Sequence, residues 1–365
     1  MILYLYFARR FTSAFVILSM LFYALVVLED LIEQTRKFSS LNVSLKDRLG
    51  LTFLHAPETI NQILPLIMIL ATVVFFISLA RTSELVVTRA AGRSALRSLI
   101  APVIVASIIG SLAVAVLNPL VAASSKRYAV LSENYRSGGV SALSISGEGL
   151  WLRQGDENGQ IVIRAARSNP DASVLFDVTF VGYEPHGGPS QRIEARSAAL
   201  SDGQWSLRKA KVWPLNSGVN PEANSQTYEI LSIPTTLTLD SIRESLGKPS
   251  SVSIWELRNY IRQLEQAGFS SRRHQVWFQT EIARPIFLIA MVLVAAAFTM
   301  RHTRFGGTGT AVLTAVLLGF VLYFIRSFAQ ILGENGQIPI LLAAWAPPIA
   351  AIFLALGMLL HAEDG

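Results

Sequence analysis

Six long apolar stretches restrict the fold of this chain more than any other feature of its sequence. They cover residues 11–31, 60–80, 99–123, 276–300, 310–330 and 338–360. A bilayer core is about 30 Å thick and an α-helix rises about 1.5 Å per residue, so a spanning helix needs about 20 apolar residues. Every stretch meets this length. The sequence therefore predicts an α-helical polytopic membrane protein with six transmembrane helices.

The composition excludes an ordinary soluble protein. Hydrophobic residues make up 52% and charged residues 15% of the 365 residues, whereas soluble domains average about 25% charged residues. A cleaved signal peptide is the alternative for the first stretch, because Arg9 and Arg10 precede it. The apolar run is too long for a signal peptide and continues into Glu29 and Asp30 without a small-residue cleavage motif. We interpret it as a transmembrane helix.

The distribution of arginine and lysine predicts the orientation of the helices, because short cytoplasmic loops carry an excess of both. One set of alternate loops holds eight such residues and the other set holds four. The first set is Arg9, Arg10, Arg81, Arg89, Arg93, Arg97, Arg301 and Arg304, and the second is Arg36, Lys37, Lys46 and Arg48. We therefore predict cytoplasmic termini and a periplasmic segment 128–273. The net charge of +6 then reflects topology and does not indicate nucleic acid.

The segment between the third and fourth helices changes to short β-like runs separated by turn residues. The predicted strands are 160–166, 174–183, 191–200, 205–213 and 228–237. Asp202 and Gly203 form a hairpin signal between two of them. This spacing predicts an all-β domain that is a sandwich, a jelly roll or an open barrel. A plain solvated β-domain without a ligand is an equal alternative.

A short amphipathic helix follows the strands. Ser253 and Glu256 form a capping box, helical spacing of apolar residues follows, and Gly268 ends the run. We expect this helix to pack against the membrane surface or the β-domain. The predicted division is helices one to three in 1–127, the β-domain in 137–246, the connector helix in 252–268, and helices four to six in 276–360.

The motifs of common enzymes and ATPases are absent from the sequence. It has no phosphate-binding G-x-x-x-x-G-K-[ST] loop, no H-E-x-x-H or G-x-S-x-G motif and no cysteine. We therefore expect no catalytic site, no cofactor and no metal, and any motor must be a partner. Glu281, Arg284 and Arg326 lie near predicted helix ends. We interpret them as interfacial residues, or as an i,i+3 ion pair in the case of Glu281 with Arg284.

This architecture resembles the LptF/LptG lipopolysaccharide export permeases over almost the whole chain. Several stretches carry the resemblance: SELVVTRAAG (83–92), GLW (149–151), WELRNYIRQLEQAG (255–268), NQILPLIMILATVV (61–74), TEIARP (280–285) and GFVLYF (319–324). The SELVV run, the GLW run and the W-x-L-x-x-Y-I helix favour the LptG branch over the LptF branch.

The resemblance implies a permease subunit of an ABC transporter. Such a subunit extracts lipopolysaccharide from the inner membrane and passes its acyl chains to a periplasmic, jellyroll-like β-domain. The implied partners are an LptF-like sister permease, an LptB ATPase dimer, LptC and the bridge protein LptA. Basic residues at the outer end of the first helix are implied to meet lipid phosphates, and here these are Arg36 and Lys37. Arg326 is a further candidate for the same anionic headgroup.

The resemblance also identifies residues 83–96 as a cytoplasmic coupling helix. Thr82 or Ser83 is expected to cap it, and Leu85, Val86 and Arg89 fall on one face with Ala90. Glu84 is the only acid among four arginines in this loop, which makes it the expected partner of a basic ATPase residue. Gly92 is expected to end the helix. The alternative is that the arginines only set the topology.

Two other classes of protein remain as alternatives. An FtsX- or MacB-type ABC permease usually has four membrane helices with the large domain after the first, which the six predicted helices disfavour. A membrane assembly scaffold has no transport activity at all. Co-purification separates these classes, because a permease of the LptG kind brings down an ATPase and a sister permease.

Overall fold

The computed structural model describes residues 2–39, 43–90, 94–137, 144–146, 149–156, 159–169, 173–184, 188–201, 203–215, 220–235, 237–239, 242, 248–266, 269–300 and 308–364. The chain divides into two compact units. The helical unit comprises Met1–Tyr128, Ser253–Trp255 and Arg272–Gly365. The sheet unit comprises Ala129–Val252 and Glu256–Ser271.

Ten α-helices are present in the described part of the chain. They are α1 (Ile2–Lys37), α2 (Leu45–Arg81), α3 (Glu84–Ala90), α4 (Ala95–Leu112), α5 (Asn118–Ser137), α6 (Ile254–Gln266), α7 (Arg272–Ile282), α8 (Arg284–Thr299), α9 (Thr308–Glu334) and α10 (Ile340–Asp364). A π-helical turn, Ala113–Leu117, joins α4 to α5 without a break.

The helical membrane fold is confirmed. Among the described residues, five helices are long and apolar enough to cross a membrane: α1, α2, the continuous α4–α5 helix, α9 and α10. The sixth is α7 with α8, which together pass the same test but bend by 50°. Pro285 lies in the first turn of α8. Proline cannot donate the backbone hydrogen bond that would continue α7 into α8, and it therefore accounts for the break.

Helix α8 is the centre of the helical unit. It packs against α2, α4, α9 and α10, and Leu288, Met291 and Val294 are fully buried. Large apolar side chains of the surrounding helices face outward instead, among them Met20 of α1, Phe328 of α9 and Phe353 of α10. Outward-facing apolar side chains suit a lipid environment.

Close helix contacts in this unit depend on glycine. A Cβ atom added to Gly110 of α4 would lie 2.5 Å from the Cα atom of Pro285, and one added to Gly319 of α9 would lie 1.9 Å from Cδ1 of Ile69. Real Cβ atoms do not approach other atoms this closely. At Gly110 the neighbouring atom is backbone, so α4 and α8 pack at a distance that only glycine permits, whereas at Gly319 the end of the Ile69 side chain would have to shift.

The inserted β-domain is confirmed as one antiparallel sheet. Where the structure describes this domain, it has seven strands: β1 (Ser144–Ser146), β2 (Gly149–Asp156), β3 (Gly159–Ser168), β4 (Val174–Tyr183), β5 (Pro189–Ser201), β6 (Gln204–Pro214) and β7 (Gln226–Pro234). Each strand pairs with the next in the chain. This up-and-down order differs from the Greek-key order of a true jelly roll. Each connection returns the chain beside the strand just formed, and the one between Ser201 and Gln204 is a tight turn in which Gly203 has a φ of +75°. Asp202 lies outside the described residues.

One face of the sheet carries the core of this unit. Trp205 and Leu207 of β6 and Phe180 of β4 are buried there, and the rings of Phe180 and Trp205 meet edge to face at 6.3 Å. Leu264 of α6 joins the same core. The amphipathic connector therefore packs on the β-domain, and burial raises the pKa of its Tyr260 hydroxyl. Gly268, its predicted end, lies outside the described residues.

Candidate coupling and lipid-binding sites

The segment predicted as one coupling helix, residues 83–96, does not form a single helix. Helix α3 covers Glu84–Ala90, and α4 begins separately at Ala95, where Ser94 accepts the backbone N–H of Arg97. The predicted helix 83–96 is therefore two helices. The Thr82 hydroxyl donates to the carbonyl of Ser78 at 3.0 Å, so it completes the end of α2 instead of capping α3. The side chains of Leu85, Val86 and Arg89, and all of Gly92, lie outside the described residues.

Arg10 of α1 joins this junction by an ion pair. Its Nη1 atom lies 2.6 Å from Oε1 of Glu84, and its Nη2 atom donates to Oγ of Ser78 at 2.6 Å. Nη1 also lies 2.8 Å from the Tyr6 hydroxyl, one turn earlier on α1. We call Arg10, Glu84, Ser78 and Tyr6 the arginine clamp. It connects α1, the last turn of α2 and the first residue of α3.

The clamp changes the acidity of Glu84. Partial burial acts to raise the pKa of its carboxyl, but hydrogen bonds to the carboxyl, first among them the one from Arg10, together outweigh burial, and the pKa is lowered. The expected cationic partner of Glu84 was an ATPase residue, whereas within this chain the partner is Arg10. An ATPase cation would therefore share the carboxylate with Arg10 or replace it.

The other end of α1 carries the predicted cations. Arg36 and Lys37 are exposed in its last turn. Lys37 Nζ donates to the hydroxyl of Tyr128 in α5 at 3.1 Å, and Gln34 Nε2 donates to the same oxygen at 3.0 Å. The Tyr128 ring also packs on His55 of α2, with ring centroids 4.9 Å apart. These contacts hold the end of α1 against α2 and α5.

One of the three acidic residues near this end of α1 is buried. Asp30 is 2% exposed and accepts a contact from Nδ1 of His55 at 2.6 Å. Glu29 and Glu33 are exposed. The exposed surface of this end therefore includes both signs of charge, with the two cations at the end of the helix.

Arg326, the third predicted lipid contact, lies against a different helix. Its guanidinium is 5.0 Å from the ring centroid of Phe287 in α8. Lys37 instead packs on Tyr128 of α5. The structure therefore places Arg326 and the Arg36–Lys37 pair in different surroundings.

The residues of the TEIARP run form a buried polar cluster at the bend between α7 and α8. Glu281 pairs with Arg284, and their side chains are 0% and 5% exposed. Arg284 Nη1 donates to the carbonyl of Asn61 in α2 at 2.9 Å. Asn118 of α5 donates to Glu281 at 3.2 Å and accepts the first backbone N–H of α6, from Ile254, at 2.9 Å. The i,i+3 ion pair interpretation is correct for these two residues. The interfacial interpretation is wrong for them, because neither side chain reaches the surface of the chain.

Comparison with known proteins gives the family. Residues 5–361 match the sequence profile described as lipopolysaccharide export system permease LptF/LptG. The chain belongs to the LptF/LptG family. Lipopolysaccharide export system permease protein LptG of Haemophilus influenzae is 24% identical over 347 residues, covering 91% of each chain. The protein of the same name in Escherichia coli K12 is 24% identical over 362 residues, covering 96% of each chain.

Membership confirms the resemblance and its LptG character. This LptF/LptG chain is a permease subunit of a lipopolysaccharide export system, a multi-pass protein of the inner membrane that works with a permease partner. The FtsX- or MacB-type interpretation and the scaffold interpretation are not supported.

Sequence reasoning missed three features of this LptF/LptG chain. It treated Arg10 only as a topology residue, it did not select Tyr128, and it did not select Asn118. Asn118 did carry a signal, since an asparagine followed by proline interrupts the apolar stretch 99–123. Polar side chains inside a membrane helix usually face a polar partner.

Proposed function

We propose that this permease extracts lipopolysaccharide from the inner membrane and passes it toward a periplasmic bridge, with both termini and α3 in the cytoplasm and the sheet unit in the periplasm. The support for this orientation is the excess of arginine in alternate loops, eight residues against four. Alkaline phosphatase fused after residue 200 is then active. An inactive fusion at that position contradicts the orientation.

The observation that carries the proposal is the end of α1. Arg36 and Lys37 are exposed cations at the end of a helix whose outward face is apolar, with Leu28 and Ile32 exposed. Lipopolysaccharide has anionic phosphates, which the two cations can bind, and apolar acyl chains, which can contact the apolar face of α1. A charge-assisted hydrogen bond contributes about 1.5–3 kcal/mol. We propose that Arg36, Lys37 and Arg326 bind the headgroup.

Charge reversal tests this binding site. Arg36→Glu combined with Lys37→Glu lowers lipid-stimulated ATP hydrolysis by the assembled complex and leaves assembly intact. Lys46→Glu is the matched control, because Lys46 is an exposed cation in the first turn of α2. If lipid stimulates ATP hydrolysis equally in the doubly reversed variant, Arg36 and Lys37 do not bind the headgroup and only lie at the membrane interface.

We propose that an LptB ATPase dimer supplies the energy for export by hydrolysing ATP. An LptF-like sister permease, LptC and LptA are the further proposed partners. The support is the absence of a phosphate-binding loop from the sequence. We propose that α3 contacts the ATPase through Glu84, with Leu85, Val86, Arg89 and Gly92 in the same segment. Co-purification of the tagged chain is expected to recover LptB and the sister permease.

Glu84→Arg separates this coupling role from a role in topology. The substitution adds positive charge to the loop, so the topology is kept. We expect lost LptB binding or ATP hydrolysis without export. If the variant complex exports lipid at the wild-type rate per ATP, Glu84 has no coupling role.

The acyl chains are proposed to pass along the apolar face of the sheet unit at β7. In support, Leu231 and Ile233 of β7 lie on the core side of the sheet but are only partly buried. A photo-crosslinker at Ile233 is expected to capture lipopolysaccharide when ATP and LptB are present. One at Ile230, which is exposed and adjacent in the alternation of β7, is the control. Capture at Ile230 alone contradicts an acyl path on this face.

A further inference from the structure

The arginine clamp lies at one end of α1, and the exposed cations Arg36 and Lys37 lie at its other end. Arg10 and Arg36 are separated by about 39 Å along the helix axis at 1.5 Å per residue. The helix between them contains neither glycine nor proline, the two residues that most often bend or weaken a helix. A displacement at one end of α1 is therefore carried to the other end.

The junction that receives this displacement is strained. Among the helical-unit residues that the structure describes, Ser83 is the only non-glycine residue with a positive φ, of 58°. A side chain in this region of backbone conformation is disfavoured, so the neighbouring contacts must hold it there. Ser83 lies between the end of α2 and Glu84. The direction of α3 relative to α2 therefore depends on contacts outside the junction itself.

The clamp supplies such a contact from α1. Arg10 reaches Ser78 at the end of α2 with one guanidinium nitrogen and Glu84 at the start of α3 with the other. Both distances are 2.6 Å. A planar guanidinium bonded at both nitrogens fixes orientation as well as distance, which a lysine cannot do.

We propose that Arg10 is a positioning residue that transmits lipid binding at the Arg36–Lys37 end of α1 to the α3 segment that contacts the ATPase. This inference rests on the proposed lipid site and the proposed coupling role of α3. Lipid binding shifts α1, the clamp carries the shift to Glu84, and α3 turns at Ser83. Without Arg10, the Arg36–Lys37 end of α1 still binds lipid and α3 still binds the ATPase, but lipid binding no longer changes the position of α3.

A spin-label experiment tests the clamp directly. The chain contains no cysteine, so Leu5→Cys on α1 and Val87→Cys on α3 provide two exposed labelling sites. The assembled complex without these substitutions serves as the blank for partner cysteines. In nanodiscs we expect a narrow distance distribution between the labels, which broadens in Arg10→Gln and stays narrow in Arg9→Gln. Arg9 is the matched control because it is exposed and carries the same charge one residue earlier.

ATP hydrolysis by the same complexes tests the transmission. For Arg10→Gln we expect the complex to assemble with the ATPase, and the increase in hydrolysis caused by lipopolysaccharide, measured relative to the basal rate of the same variant, to fall at least fivefold. Arg10→Lys keeps the charge without the two-armed contact and is expected to retain part of the increase. Arg9→Gln behaves as the wild type.

The outcomes separate this inference from the proposed function. A wild-type lipid response in Arg10→Gln overturns the inference, whether or not the label distances broaden. Equal loss in Arg9→Gln and Arg10→Gln also overturns it, because the effect is then one of loop charge. If the wild-type complex itself shows no lipid response, the proposed function fails, and a narrow distribution in Arg10→Gln would still reject the clamp.

Discussion

Nδ1 of His55 lies 2.6 Å from the carboxylate of Asp30, and Asp30 is buried between α1 and α2. His55→Ala would leave this carboxylate buried without its imidazole partner. Breaking a buried hydrogen bond to a charged group costs about 2 kcal/mol or more. We expect a lower free energy of unfolding in detergent for His55→Ala. Glu33→Ala, at an exposed acid of the same helix, is expected to have no effect, and an equal loss in both variants would contradict the role of the pair.

Tyr128→Phe removes the hydroxyl that receives Lys37 and Gln34. Lys37 then loses its fixed position at the end of α1. Since one hydrogen bond contributes about 0.5–1.5 kcal/mol, we expect the lipopolysaccharide concentration for half-maximal ATPase stimulation to rise by about 2- to 10-fold. Tyr23→Phe, on the exposed face of α1, is the control. An unchanged concentration in Tyr128→Phe would show that Lys37 needs no such support.

Arg284→Met is expected to destabilise the helical unit, because Glu281 then stays buried without its cation. Removing one partner of a buried pair costs about 3–5 kcal/mol. Glu281→Gln combined with Arg284→Met leaves no unpaired charge, so much of this loss is expected to be recovered. Thermal unfolding of the single and double variants measures the coupling. Additive losses would mean that the pair is not energetically connected.

Gly110→Ala is expected to separate α4 from α8. The new Cβ atom would lie 2.5 Å from the Cα atom of Pro285, and backbone cannot move aside as a side chain can. Overpacking of this kind costs about 1–3 kcal/mol. Gly357→Ala is the matched control, because a Cβ atom there meets no other atom within 4 Å. The melting temperatures of the two variants are compared, and equal values would argue against close packing at Gly110.

The lowered pKa of Glu84 predicts how the clamp responds to acid. Its pKa in the folded chain lies below the ordinary value of 4.5. The stabilisation from a carboxyl with a lowered pKa is complete above the ordinary pKa and is lost as the pH falls through the lowered one. We expect the distance between labels at Leu5→Cys and Val87→Cys to stay narrow at neutral pH and to broaden only below 4.5. In Glu84→Gln it is broad at every pH. Broadening of the wild type near neutral pH would contradict this assignment.

The sequence predicts the membrane helices well because a bilayer demands length and hydrophobicity, and both are local properties. Short alternating runs are also a local property, and they predict β3 to β7, although β1 and β2 are missed as strands. The order of the strands in the sheet, by contrast, cannot be predicted from the pattern within each strand. A jelly roll and an up-and-down sheet share the same alternation, and only the connections between strands distinguish them.

The contacts of the site residues could not be predicted from local sequence patterns. Glu84 stands out in the sequence as an acid among arginines, but its partner Arg10 is 74 residues away. No periodicity relates the two. The bend at Pro285 is hidden for a different reason, since the surrounding stretch is apolar throughout and proline is tolerated in membrane helices. The positive φ of Ser83 carries no signal in its residue type, because serine has no preference for that conformation.

The π-helical turn Ala113–Leu117 immediately precedes Asn118. Such a turn holds one residue more than an α-helix of the same rise. Each residue advances an α-helix by about 100° around its axis. A chain one residue shorter at this turn would thus point the Asn118 amide about 100° away from Glu281 and from the first N–H of α6. The angular register of a whole helix, and with it the connection between three segments distant in sequence, depends on a single inserted residue.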